Sequence, residues 1–88
     1  MTNENNLTTE DVTHILIVDD EASIRKLVCR ILELDNYVTE QAGDGFTALE
    51  KLESHPFDVV ITDINMPGMD GLELTRKVLE DYGADVIM

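Results

Sequence analysis

The chain has 88 residues and carries 19 acidic against 6 basic side chains, which gives a formal net charge of −13 at pH 7. A nucleic-acid-binding surface needs clustered Lys and Arg to displace counterions from phosphates, so this charge excludes direct nucleic-acid binding. The longest apolar runs, Ile15 to Val18 and Val59 to Ile61, are far shorter than the roughly 20 residues of a membrane-spanning helix, so we expect no membrane segment.

Residues 1–12 are polar and acidic and offer only Leu7 and Val12 for burial. We therefore expect a disordered acidic leader over 1–12 and one domain over 13–88. The leader lacks the basic and apolar regions of a secretory signal, and the single Cys29 cannot close an internal disulfide. These features predict a cytoplasmic protein.

The domain is predicted to begin with a buried strand followed by a helix. Ile15 to Val18 form an apolar run rich in β-branched residues, which is typical of a strand buried on both faces. Apolar residues then recur at helical spacing, at Ile24, Leu27, Val28 and Ile31. Asp20 is available to cap the start of this helix, and Asn36 can take the left-handed position after its end.

A weaker strand is predicted over residues 37–42, before the turn Gly43-Asp44-Gly45. The second predicted helix carries apolar residues at Phe46, Leu49 and Leu52. It ends before Pro56, because proline cannot donate a backbone hydrogen bond.

A third strand is predicted over 57–62, and a third helix follows a Pro-Gly loop. Asp70 and Glu73 have the spacing of a capping box at the start of this helix. Its apolar stripe contains Leu72, Thr75, Val78 and Leu79. The helix is expected to stop at Gly83, and residues 85–88 begin a fourth strand. Strands that alternate with helices in this way predict an α/β fold with a parallel sheet.

Acidic side chains follow two of the predicted strands. Asp19 and Asp20 end the first strand, and Asp63 ends the third. Ligands of open parallel sheets bind at the carboxyl ends of the strands, so neighbouring strands would bring these carboxylates together. Two like charges about 4 Å apart repel by on the order of 4 kcal/mol at an effective dielectric of 20, which favours a bound cation. Mg²⁺, with its oxygen ligands, fits this set best.

Helix capping is the alternative role for such residues. Taken alone, Asp20 or Asp70 is more easily explained as a helix cap than as part of a reactive site. Asp63 differs, because it follows a strand and precedes a Pro-Gly loop rather than a helix. The sequence therefore points to Asp63 as the residue with a chemical role.

Three motifs carry a resemblance to a known family. They are Asp19-Asp20-Glu21 after the first strand, Gly45-x-x-Ala48-Leu49 at the second helix, and the D-x-x-M-P-x-M-D-G pattern from Asp63 to Gly71. In these motifs residues 14–88 resemble the receiver domain of two-component response regulators. The resemblance implies a flavodoxin-like, doubly wound parallel sheet of strand order 2-1-3-4 and a signalling domain that is not an enzyme.

The resemblance also implies a role for each site residue. Asp63 would be the phosphoacceptor, taking a phosphoryl group from a sensor histidine kinase or a phosphotransfer protein. Asp20 and Asp63 would bind Mg²⁺ directly, Asp19 would act through water, and Asn65 would offer its backbone carbonyl. The residues that shape the loop would be Pro67, Gly68 and Gly71.

Receiver domains have five strands and five helices, so we expect this chain to lack the last strand and the last two helices. The switch Ser or Thr and the Lys of the family would then be absent from this chain. Uncovered apolar surfaces would favour a homo-oligomer. An alternative function follows from the same expectation, namely a non-catalytic truncated fragment that folds by self-association and is not phosphorylated.

Overall fold

A computed structural model describes residues 12–64, 66 and 68–88, so the predicted leader apart from Val12 lies outside the described residues. The elements in chain order are β1 (His14–Val18), α1 (Ala22–Leu34), β2 (Val38–Ala42), α2 (Gly45–Ser54), β3 (Val59–Thr62), α3 (Gly71–Asp81) and β4 (Asp85–Ile87). The strands form one parallel sheet in the order β2-β1-β3-β4, which confirms the predicted fold class. Within the described residues, no helix has the length and apolar character needed to cross a membrane.

Strand β1 lies in the interior of the sheet, between β2 and β3. Successive side chains of a strand point to opposite faces. Leu16 and Val18 accordingly pack in a core with residues of α2 and α3, while Ile15 and Ile17 pack with Cys29 of α1. The burial of β1 on both faces confirms the prediction. It also fixes the position of the strand end and of the acidic residues that follow it.

Helix α1 contacts the sheet through a face that matches the predicted one only in part. Cys29 is its buried residue and packs as a small hydrophobe. Burial raises the pKa of the Cys29 thiol. The side chains of Ile24, Leu27 and Ile31 remain 44%, 55% and 53% exposed. Of the predicted stripe, Val28 packs against the cluster of Ile15, Ile17 and Cys29, and the other three residues lie beside the buried face.

Helices α2 and α3 also expose residues that the sequence assigns to the core. Phe46 is 60% exposed, and Leu72 and Leu79 are 57% and 58% exposed. Val78 of the predicted stripe is buried, and its buried neighbour is Leu74, four residues earlier, which the sequence did not assign to the core. Exposed apolar side chains of this kind are the basis for expecting self-association, which stays a prediction.

The helix ends agree with the sequence except at the start of α1, and α2 ends at Ser54, before Pro56, as predicted. The side chain of Asp70 caps α3 by accepting a 2.9 Å hydrogen bond from the backbone N–H of Glu73. Asn36 follows α1 with φ 70°, the predicted left-handed conformation. The predicted cap at Asp20 is wrong, because Glu21 occupies the N-cap position without a side-chain hydrogen bond. Asp20 is therefore free of a capping role.

The carboxylate of Glu40 joins β2 to the end of α2. Its Oε2 atom lies 2.6 Å from Nε2 of His55, and its Oε1 atom accepts a hydrogen bond from Nζ of Lys51 at 3.3 Å. Burial raises the pKa of Glu40, but the hydrogen bonds from His55 and Lys51 outweigh burial and place this pKa below its ordinary value.

Replacing Glu40 with Gln is expected to lower the free energy of unfolding by less than about 1 kcal/mol at neutral pH, because solvent screens such pairs. Since folding lowers the pKa of Glu40, the stabilisation is present above the unfolded value of 4.5 and is lost as the pH falls through the folded pKa. Urea denaturation at neutral pH and below the folded pKa measures this change. The control Glu80→Gln breaks a more exposed pair with Arg76 and should change stability less. A Glu40→Gln effect that persists unchanged at low pH would contradict the assignment.

Candidate functional site

Three carboxylates converge at the carboxyl ends of β1 and β3. Oxygen atoms of Asp19, Asp20 and Asp63 all lie within 4.8 Å of one another. The cause is the parallel register, in which Val18 pairs with Thr62, so that the residue after each strand reaches the same edge of the sheet. The structure thus contains the convergence that the sequence predicts.

Asp19 is fixed through its backbone and its side chain. Its N–H donates to the carbonyl of Ala42 at 3.1 Å, which continues the pairing between β1 and β2. Its Oδ1 atom accepts a 2.9 Å hydrogen bond from the N–H of Glu21. Its carbonyl accepts a 2.7 Å hydrogen bond from the guanidinium of Arg25. The turn between β1 and α1 therefore holds Asp19 in one orientation.

Asp63 follows β3 and has a different setting. Its N–H donates to the carbonyl of Val18 at 3.1 Å, so its backbone continues the pairing of β3 with β1. The hydroxyl of the buried Thr62 donates to the Asp63 carbonyl at 3.1 Å. Asp70, and not Asp63, caps the following helix. The backbone of Asp63 is therefore anchored while its side chain is exposed to solvent.

The loop from Asp63 to α3 requires glycine at two positions. Gly68 has φ 82°, a conformation that residues with a Cβ atom rarely adopt. Gly71 begins α3, and its N–H donates to the carbonyl of Ile64 at 2.8 Å. A Cβ atom on Gly71 would overlap the carbonyl oxygen of Asp63 and lie 2.7 Å from Cα of Ile64. The start of α3 thus packs directly on the backbone of Asp63.

Two other residues that the sequence assigns to the site, Asn65 and Pro67, lie outside the described residues. The structure therefore places five of the predicted positions. They are Asp19, Asp20, Asp63, Gly68 and Gly71.

An open cavity of about 370 Å³ adjoins the carboxylates, with Asp19, Thr62 and Asp63 among its lining residues. Ile17 and Ile61 of the central strands contribute apolar lining. Asp63 is therefore accessible from this side of the sheet.

The donor chemistry of the cluster fits Mg²⁺. All three groups are carboxylates, and hard divalent cations prefer such oxygen ligands. Without a cation the negative charges repel one another at short range. The amino-terminal end of α1 follows Asp20 and Glu21 directly, and its partial positive charge also favours carboxylates.

Sequence reasoning missed Arg25, whose guanidinium contacts the backbone of Asp19. A signal was present, because Arg25 lies in the first turn of the helix that follows the acidic pair. Helical side chains lean toward the amino-terminal end, so an arginine there can reach the preceding loop.

Comparisons with known proteins agree with this geometry. A family model described as the response regulator receiver domain matches residues 15–88. The sensor protein EvgS of Escherichia coli K12 is 46% identical over 77 residues, which cover 88% of this chain and 6% of EvgS. The transcriptional regulatory protein ResD of Bacillus subtilis 168 is 41% identical over 76 residues, which cover 86% of this chain and 32% of ResD. The chain thus corresponds to a small part of either relative.

A solved structure gives the same result for the fold. The response regulator TrrA from Thermotoga maritima, crystallised in complex with Mg²⁺-BeF, matches with a TM-score of 0.80 and 38% sequence identity. The match covers 88% of this chain and 68% of the TrrA chain.

Proposed function

The chain belongs to the response regulator receiver domain family, and we propose that it accepts a phosphoryl group on Asp63 from a histidine kinase or a phosphotransfer protein. Receiver domains are regulatory parts of two-component signalling systems. The observation that carries the proposal is the convergence of Asp19, Asp20 and Asp63 within 4.8 Å. A sensor kinase among the relatives supports a histidine kinase as the partner.

Mg²⁺ is the proposed cofactor. Asp20 and Asp63 would bind the ion directly, Asp19 would act through water, and the backbone carbonyl of Asn65 would complete the protein ligands. When bound, the ion neutralises charge on the phosphoryl oxygens and helps to orient them. The complex of the related TrrA with Mg²⁺-BeF supports this choice of metal.

The proposed reaction is a displacement at phosphorus. An Oδ atom of Asp63 attacks the phosphorus of a phosphohistidine, a P–O bond forms, and the P–N bond breaks with its electron pair passing to the histidine nitrogen. A carboxylate nucleophile carries no proton that must be removed, so this attack needs no general base. The anchored backbone of Asp63 holds its carboxylate beside the open cavity, which provides the approach that in-line attack requires.

Incubation with acetyl phosphate and Mg²⁺ is expected to add the mass of one phosphoryl group to the chain, and peptide mapping should place it on Asp63. Asp63→Asn should abolish the adduct, since an amide is a poor nucleophile, and removal of Mg²⁺ with EDTA should suppress it. Mass spectrometry of the intact protein measures both effects.

The matched control is Asp81→Asn, which removes one exposed carboxylate from the end of α3, outside the cluster. This variant should be phosphorylated like the wild type. A folded wild-type sample that gains no adduct, or gains one on another residue, would contradict the proposed function.

A further inference from the structure

Arg25 links three elements beside the carboxylate cluster. It belongs to the first turn of α1, and its Nη1 atom donates a 2.7 Å hydrogen bond to the carbonyl of Asp19. Its Nε atom donates to Oε1 of Gln41 in β2 at 3.1 Å. Nη1 also lies 3.5 Å from the position that a Cβ atom on Gly43 would occupy. One side chain therefore spans α1, the end of β1 and the end of β2.

The bond to Asp19 fixes more than one residue. The Asp19 carbonyl belongs to the planar peptide unit that also contains the nitrogen of Asp20. Fixing this carbonyl fixes the plane of the peptide unit, and therefore the direction of the backbone at Asp20. The Asp19 N–H is already held by Ala42, so Arg25 restrains the opposite side of the same residue.

We propose that Arg25 is a positioning residue that orients the carboxylates of Asp19 and Asp20 toward the metal position. The inference rests on the proposed function, because Mg²⁺ is the ligand for which these groups would be oriented. A planar guanidinium with donors in fixed directions can hold two acceptors at once, whereas a lysine ammonium is a single flexible point charge. Arg25 is partly buried, so its hydrogen bonds are better protected from competing water than bonds on the open surface.

The charge of Arg25 allows a sharp distinction between two effects. A positive group near the cluster repels Mg²⁺, so loss of its charge alone would strengthen Mg²⁺ binding. Loss of its positioning effect would weaken Mg²⁺ binding. The two effects have opposite signs. Arg25→Lys separates them further, because it keeps the positive charge and removes the planar guanidinium that holds two acceptors at once.

The test is a Mg²⁺ titration of the whole chain, followed through the backbone amide resonances of Asp20 and Glu21. Arg25→Lys is expected to weaken Mg²⁺ binding by about tenfold, the lower range for residues that orient metal ligands. Arg25→Met should weaken it less, because the loss of positive charge partly offsets the loss of positioning. The control Arg30→Met removes the same charge from an exposed position on α1 and should bind Mg²⁺ as well as the wild type or slightly better.

Each remaining outcome is decisive. Arg25→Lys binding Mg²⁺ as tightly as the wild type would overturn the inference, whether or not Arg25→Met folds. A wild type that binds no Mg²⁺ would contradict the proposed function instead. In that case the metal-free proteins still test Arg25, because the amide of Glu21 reports its 2.9 Å bond to Oδ1 of Asp19. A shift of this resonance in Arg25→Lys but not in Arg30→Met supports positioning, and no shift overturns it.

Discussion

Mg²⁺ at one hundred times its dissociation constant is expected to raise the free energy of unfolding by about 2.7 kcal/mol, since a ligand that binds only the folded state stabilises it by mass action. For a small domain this corresponds to a rise in melting temperature on the order of 10 to 20 °C. The physical source is the cluster itself, whose oxygen atoms within 4.8 Å of one another repel until a cation neutralises them. Thermal unfolding followed by circular dichroism, with Mg²⁺ and with EDTA, measures the rise.

Asp20→Asn tests whether this rise comes from the cluster. The variant should lose most of the Mg²⁺-dependent stabilisation, because a neutral amide is a weaker ligand for a hard cation. In EDTA it should melt above the wild type, because one of three mutually repelling charges is gone. A general loss of stability cannot produce both changes. Asp81→Asn should leave the Mg²⁺-dependent rise intact, and an undiminished rise in Asp20→Asn would contradict the metal site.

The carboxylate cluster could be predicted because it depends on two simple sequence features. Apolar runs end in aspartate at Asp19 and at Asp63, and a parallel sheet brings the carboxyl ends of its strands to one edge. The adjacency of β1 and β3 does not follow from these features; the family resemblance implied it, and the strand order confirms it. The capping role considered for Asp20 failed, which leaves its carboxylate available to the cluster.

The buried faces of the helices were harder to predict, because α3 has two overlapping apolar stripes. The predicted stripe contains Leu72, Thr75, Val78 and Leu79, and the buried one contains Leu74 and Val78 with Gly71 one turn before Leu74. Hydrophobic spacing alone does not distinguish them. The second stripe faces the sheet because Gly71 allows the start of α3 to lie close to the backbone of Asp63. Any residue with a side chain at this position would prevent that contact.

The role of Arg25 was hidden for a related reason. Its partner is the backbone carbonyl of Asp19, and every residue has such a carbonyl. No particular residue type at position 19 is needed to accept this hydrogen bond, so the only sequence signal is the place of Arg25 in the first turn of the helix after the acidic pair. Contacts with backbone atoms therefore account for both the missed helix face and the missed positioning residue.

Gly71→Ala is expected to lower the free energy of unfolding by about 1–3 kcal/mol, the usual cost of adding atoms to a packed contact. The added methyl group would overlap the carbonyl of Asp63, so α3 or the residue after β3 must move. Movement of Asp63 would also displace its carboxylate from Asp19 and Asp20. We therefore expect weaker Mg²⁺ binding and slower phosphorylation together with the loss of stability, measured by urea denaturation, Mg²⁺ titration and the acetyl phosphate reaction.

Gly83→Ala is the matched control, because its cost has a different origin. Gly83 has φ 69°, and a Cβ atom there would meet nothing within 4 Å. Alanine at this position should cost about 1 kcal/mol through the left-handed backbone conformation, without moving Asp63. Mg²⁺ affinity and phosphorylation of the folded protein should then match the wild type. If Gly71→Ala loses stability but keeps wild-type Mg²⁺ affinity, the contact of α3 with Asp63 stabilises the fold without positioning the carboxylate.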